Sequence, residues 1–186
     1  MARKHKANGA NLCEQSYKKS AKIRLTEFWS VFGKEDTVLV CINADPDSLA
    51  CAMAVKRLLR YRVKHIIIAH PNEVTRLNNL AMIERLRIPL EKLSSVKTGD
   101  YTKNVIVDSQ PDHLPSFERI SFDAIIDHHP ISNEWDATYV DIRPDYGAAS
   151  SMLVEYLRAA NMKPSVALAT ALFYGIKVDT GDFEKE

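Results

Sequence analysis

Three of the short apolar runs in this chain lead into aspartate. Val38-Leu39-Val40-Cys41-Ile42 leads to Asn43-Ala44-Asp45-Pro46-Asp47. Val105-Ile106-Val107 ends on Asp108, and Phe122-Asp123-Ala124-Ile125-Ile126 ends on Asp127-His128-His129-Pro130. Runs this short and this apolar suit strands buried on both faces, as in a parallel sheet. Helical patterns alternate with them. Residues 14–32 carry Ile23, Leu25, Phe28, Trp29 and Phe32 at helical spacing, with Gly33 beyond. Asp47 and Ser48 stand where helix N-caps belong, ahead of an apolar stretch from Leu49 to Leu59. His65–Ala69 reads as a second strand and 74–86 as a helix, with helices again over 148–160 and 165–173. The predicted fold is α/β, a doubly wound and mainly parallel sheet with helices on both faces. Sheets of this kind bind ligands beyond the C-terminal ends of their strands, where these Asp and His residues fall.

Composition bounds the alternatives. A chain of 186 residues that is 46% hydrophobic and 26% charged suits one soluble domain with a sizeable core. No apolar run reaches the roughly 18–20 residues that cross a bilayer. No apolar segment follows the basic start, Met1 to Lys6, as a signal peptide requires. Cys13, Cys41 and Cys51 show no paired spacing, which favours cytoplasmic thiols over disulfides or a structural zinc site. Net charge is +1, but residues 1–24 hold seven Lys or Arg against Glu14 alone. That segment is either a solvated tail or a contact for nucleic-acid phosphates.

The strand tips carry the chemistry. Asp45, Asp47, Asp108, Asp127 and the later Asp179 would crowd one edge of the sheet. Carboxylates packed so closely raise one another's pKa unless cations neutralise them. Aspartates with imidazole suit Mn²⁺, Mg²⁺ or a related divalent ion. One carboxylate shared by two ions would hold them roughly 3.5–4 Å apart, the spacing of two-metal hydrolases. Phosphoester hydrolysis is the natural reaction of such a site. Taken singly, each piece has a plainer explanation: Asp-Pro-Asp as a capped turn, a strand-terminal Asp as a turn former, two histidines as a surface loop. The segment Phe173 to Val178, which leads to Asp179, can be helix or strand.

With these motifs in this order, the chain resembles the DHH phosphoesterases. The matching pieces are Asn43-Ala44-Asp45-Pro46-Asp47-Ser48, Val107-Asp108, Asp127-His128-His129-Pro130, Gly147-Ala148-Ala149-Ser150, and Tyr174-Gly175-Ile176-Lys177-Val178-Asp179-Thr180-Gly181 with Phe183. The last two look like the branch of RecJ-type exonucleases, nano-RNases, 3′-phosphoadenosine 5′-phosphate phosphatases and cyclic-dinucleotide phosphodiesterases. They look less like family II inorganic pyrophosphatases. The resemblance implies that Asp108 bridges two Mn²⁺ ions, that Asp47, His128 and Asp179 complete one shell, and that Asp45 serves the other. It also implies that His129 faces the scissile phosphate, that Asp127 orients the histidines, and that Gly147, Ala148 and Ser150 let backbone N–H groups approach a phosphate.

Two departures stand out. Cys41 occupies the place of a family histidine ligand, as either a soft ligand or a buried thiol that binds nothing. Members of that branch also carry a C-terminal substrate-binding domain, and with the sequence stopping at Glu186 the expectation is that this domain is absent. The expected organisation is a basic segment and helix over 1–35, then a DHH domain over 36–186. The expected protein is a cytoplasmic Mn²⁺-dependent phosphoesterase acting on short oligonucleotides or nucleotide phosphates, without membrane contact; a homodimer is compatible with this. The alternatives are a pyrophosphatase or polyphosphatase, and a regulatory module that binds metal or nucleotide without turnover. His70 and His113 are candidates for the cleft rim and Arg143 for a phosphate contact. Asp112, Asp123, Asp136, Asp141 and Asp145 read as turn and surface acids.

Overall fold

The computed structural model describes residues 19–184. Its sheet has six parallel strands: β1 (Thr37–Cys41), β2 (His65–His70), β3 (Glu91–Lys92), β4 (Lys103–Val107), β5 (Ala124–Asp127) and β6 (Tyr139–Ile142). They lie in the order β3-β2-β1-β4-β5-β6. Five α-helices accompany them: α1 (Ala21–Ser30), α2 (Pro46–Leu59), α3 (Leu77–Leu86), α4 (Ala149–Ala159) and α5 (Val166–Asp179). The expected α/β fold with a parallel sheet is the fold adopted. The basic segment lies largely outside the described residues. No described helix is long and apolar enough to cross a membrane.

Local chemistry sets the helix starts. Ser20 caps α1 by accepting from the Ile23 N–H. Asp45, rather than Asp47 or Ser48, caps α2. Its carboxylate accepts from Ser48 N while Ser48 Oγ accepts from Asp45 N, a reciprocal capping box. Pro46, with its preset φ, then takes the first helical position and leaves Asp47 inside the first turn. The open question over 173–178 resolves as helix: α5 continues to Asp179, because Gly175 allows close packing and Thr180 closes the last turn by donating to the Ile176 carbonyl.

The two faces of the sheet are covered unequally. On one face, Val38, Val40, Ile42, Val105, Val107 and Ile126 pack against apolar residues from all five helices. There α2 is central, with Leu49, Val55, Leu58 and Leu59 wholly buried. On the other face, Leu39, Cys41, Ala69, Ile106 and Ile125 pack against Phe117, Phe122 and partners from loops and short 3-10 turns. Helices expected on both faces are thus replaced by irregular cover on the second. Right-handed crossovers send the β4–β5 and β5–β6 connections to the face opposite α2 and α3. Those connections contain Pro111, Pro115 and Pro130, which break helices. Strands β3 and β6 lie outside the apolar runs of the sequence, since Glu91-Lys92 is charged throughout and Tyr139-Val140-Asp141-Ile142 carries a charge mid-run. The strand order reverses between β1 and β4. A ligand crevice is expected at such a switch point, beyond the strand ends that carry Asp45, Asp47 and Asp108.

Candidate metal centre

Each strand tip presents its side chains through a local device. Asp47, in the first turn of α2, is 1% exposed. Its two oxygens accept from the first N–H groups of α4, Ala149 N at 2.7 Å and Ser150 N at 2.9 Å. The Ser150 amide, one of the groups expected near a phosphate, here holds a carboxylate of the protein. Asp108 follows β4 in the left-handed region at φ 56°, a costly conformation for a residue with a β-carbon. Its N–H still bonds to the Ile126 carbonyl, so the turn aims the side chain without losing the ladder.

Asp127, the last residue of β5, is fully engaged within the protein. One oxygen accepts from His128 N (2.9 Å) and from His129 Nδ1 (2.8 Å), the other from Gln110 Nε2 (2.8 Å). His129 therefore carries its proton on Nδ1 and directs Nε2 away from Asp127. Asp179 arrives from the C-terminal end of α5. A β-carbon on Gly147 would meet Thr180 Cγ2 at 2.8 Å, and one on Gly175 would meet Ser150 Oγ at 2.9 Å. These two close approaches draw the end of α5 against the first turn of α4 and place Asp179 beside His128.

His128 is the centre of the arrangement. Its Nδ1 lies 2.9 Å from the Tyr146 carbonyl oxygen, which can only accept, so Nδ1 carries the proton. Its Nε2 lies 3.0 Å from Asp179 Oδ2 and 3.4 Å from Asp108 Oδ1. Nε2 and Asp108 Oδ1 are both buried, and neither makes a hydrogen bond of good geometry. In a neutral ring the Nε2 lone pair would face two carboxylates. The cluster needs a positive charge between these atoms, supplied by a second proton on the ring or by a cation. Ligand atoms of Asp47, His128 and Asp179 lie within 4.8 Å of one another, as do those of Asp108, His128 and His129. Orphaned buried atoms, hard oxygen donors and an imidazole anchored at its far nitrogen fit a divalent cation.

The electrostatics agree with the geometry. Burial pushes the Asp108 carboxyl well above the ordinary carboxylate range, and nearby Asp47 and Asp45 add to this. Asp47 is raised for the same reason, with Asp179 contributing. Burial opposes charge on His128, but Asp108 and Asp179 outweigh it and lift the imidazole to about 11. His129 is raised chiefly by its bond to Asp127. In Asp127, burial is outweighed by His129 and Gln110, which hold the carboxyl below its usual value.

The other predicted residues fall in several places. Asp45 is partly exposed and spends one oxygen on the α2 cap. Cys41 is buried in the second core among Leu39, Ala69 and Ile106, with its thiol pushed up to about 12 by burial. It belongs to none of the candidate ligand groups among the described residues. His70 ends β2, buried and apart from those groups. His113 lies beside His129. Arg143 and Asp141 are buried supports rather than a phosphate contact and a surface acid. Arg143 pairs with Asp141 and Glu155, and Asp141 also pairs with Arg24. Asp123 binds Lys103 and Asn104 N, and Asp112 binds Ser132 and Asn133. Sequence reasoning missed two residues. Gln110, wholly buried, links Asp127 to Pro130, Ser132 and Trp135. Tyr146 offers its carbonyl to His128 while its ring lies against Arg143 and its hydroxyl donates to Glu155. A glutamine near Asp108 was a visible signal; a backbone carbonyl leaves none.

Residues 37–176 match the model of the DHH family, N-terminal domain. The chain belongs to the DHH family. An uncharacterized protein of Methanocaldococcus jannaschii is 38% identical over 149 residues, which is 80% of this chain and 31% of that protein. The A-adding tRNA nucleotidyltransferase of Geobacter sulfurreducens is 27% identical over 161 residues, covering 79% of this chain and 17% of that enzyme. The chain thus spans less than a third of the length of either relative. The DHH match covers every strand and all five helices except α1 and the last residues of α5.

Proposed function

We propose that this chain is a divalent-metal-dependent phosphoesterase domain that hydrolyses phosphoester bonds of short oligonucleotides or small nucleotide phosphates. The observation that carries this reading is His128, tied to Tyr146 through Nδ1 and facing the carboxylates of Asp108 and Asp179 through Nε2. Asp108, Asp47, His128 and Asp179, with Asp45 beside them, are the residues that would hold the divalent ions, and Asp108 would be the carboxylate common to them. The donor set is carboxylate with a single imidazole, which suits Mn²⁺ or Mg²⁺ better than a soft ion. Divalent ions in such a site lower the pKa of water and draw charge from a phosphoryl oxygen.

The chain's own residues supply the rest. Asp127, saturated by hydrogen bonds, orients His129 and stabilises charge on it. His129, less buried than its neighbour, presents Nε2 toward the cleft. There it contacts the phosphate and gives a proton to the leaving oxygen. The tRNA enzyme among the relatives supports nucleotide chemistry as the substrate class.

The test is a product assay with Mn²⁺ on a dinucleotide, a nucleoside bisphosphate and pyrophosphate. Release of nucleoside monophosphate is the expected result. Phosphate from pyrophosphate alone would point to a pyrophosphatase, and tight metal binding with no turnover would point to a regulatory module.

A further inference from the structure

The turn after Asp108 does more than aim that carboxylate. It runs through Ser109 and the buried Gln110, then folds back so that His113 N donates to the Gln110 carbonyl at 3.0 Å. The His113 ring closes the turn a second time. Its Nδ1 accepts from the Gln110 N–H at 3.2 Å and lies 3.3 Å from Ser109 Oγ. A backbone N–H can only donate, so Nδ1 is an acceptor and the neutral ring carries its proton on Nε2. His129 has the opposite tautomer, with its proton on Nδ1 toward Asp127. The two rings stand nearly perpendicular, at 87°, with centroids 5.4 Å apart. A ligand atom of His113 lies within 4.8 Å of one from His129 and one from Asp127.

In this trio Asp127 and the Nδ1 atoms of both rings are already committed to hydrogen bonds, which leaves the two Nε2 atoms for a ligand. A turn that needed only an acceptor would be served by Asn or Asp, with less exposed surface. The imidazole adds an outer N–H, on an exposed residue, next to the histidine that faces the phosphate.

We propose that His113 is a second phosphate contact, donating from Nε2 to a non-bridging oxygen of the substrate while His129 acts at the leaving group; this rests on the phosphoesterase reading above. A hydrogen bond to a charged phosphate contributes about 10- to 100-fold in affinity. His113→Ala should therefore lower kcat/KM about 10- to 100-fold with Mn²⁺ affinity unchanged. His113→Gln, which keeps an N–H near the Nε2 position, should recover most of that loss. A separate readout does not need turnover. Inorganic phosphate is titrated into the Mg²⁺-loaded full chain while the ring resonances of His113 and His129 are followed by NMR. Both rings should shift along one saturation curve. His129 shifting alone, or neither ring shifting, would overturn the proposal. So would His113→Ala with wild-type kcat/KM on a substrate that the wild-type chain hydrolyses. A wild-type chain that hydrolyses nothing yet shifts both rings would instead sink the phosphoesterase reading and leave the phosphate contact standing.

Discussion

Gly175 is the residue whose substitution separates packing from helix propensity at this site. A β-carbon there would lie 2.9 Å from Ser150 Oγ, 3.1 Å from Asp47 Cα and 3.1 Å from Asp47 Oδ1. Two effects oppose each other in Gly175→Ala. Alanine gains about 0.8–1.0 kcal/mol over glycine inside a helix. Overpacking costs about 1–3 kcal/mol. Ser150 is wholly buried and Asp47 Cα is backbone, so neither neighbour yields cheaply. The net expectation is a loss of about 0–2 kcal/mol. At about 2–4 °C per kcal/mol for a chain of this size, Tm falls by up to about 8 °C. The same contact pushes Asp47 off the α4 amides that orient it, which should weaken Mn²⁺ binding about 10- to 100-fold. Gly99→Ala is the control, since nothing lies within 4 Å of its added carbon. It should be neutral or gain about 0.4–1 kcal/mol through the unfolded state. Thermal unfolding followed by circular dichroism and Mn²⁺ calorimetry give both numbers. If Gly175→Ala raises Tm as the control does and binds Mn²⁺ normally, α5 does not press on Asp47 and the account of that carboxylate fails.

Asp108→Asn should abolish tight Mn²⁺ binding and leave the far-ultraviolet dichroism intact; retained affinity in calorimetry would exclude it as a shared ligand. His128→Ala should lose metal, whereas His129→Ala should keep it and lower kcat by about 10²–10⁴; equal metal loss in both would reject this division. Metal binding should release protons, because both Asp108 and His128 bind protons more tightly than usual in the folded chain. Affinity should accordingly rise with pH toward about 11, where the His128 imidazole gives up its proton without metal; calorimetry in two buffers of different ionisation enthalpy that shows no proton release would contradict the cluster's electrostatics. Cys41→Ala should leave metal stoichiometry unchanged, since the thiol is packed in the second core; loss of one ion in anomalous scattering would restore it as a ligand.

Much of this protein was legible in its sequence because the signals are local. Short apolar runs marked β1, β2, β4 and β5, and the aspartates that follow β1, β4 and β5 marked the edge where the candidate ligands gather before any strand order was known. Asp127-His128-His129 pointed to a candidate metal or proton-transfer site by residue type alone, and the fold brings His128 together with Asp108 and Asp179. Local signals fail where two patterns compete. Asp45 and Asp47 are both good caps, and Pro46 together with the Ser48 hydroxyl decided between them. The run before Asp179 fits strand or helix, and the fold makes it helix, with Gly175 packed against Asp47 and Ser150.

Tertiary structure decided how the groups are held. Asp47 takes its hydrogen bonds from residues about a hundred positions later, at the start of α4. His128 depends on a main-chain carbonyl, an atom every residue possesses and no pattern distinguishes. Gln110 and Arg143 acquire their roles through buried partners brought together by the crossovers. The sequence by itself determined which chemical groups gather beyond the strand ends, since residue type and periodicity are written along the chain. Only the fold determined which nitrogen of each histidine is free and which carboxylates are already satisfied, since those depend on partners that the sheet's strand order brings within 3 Å or so.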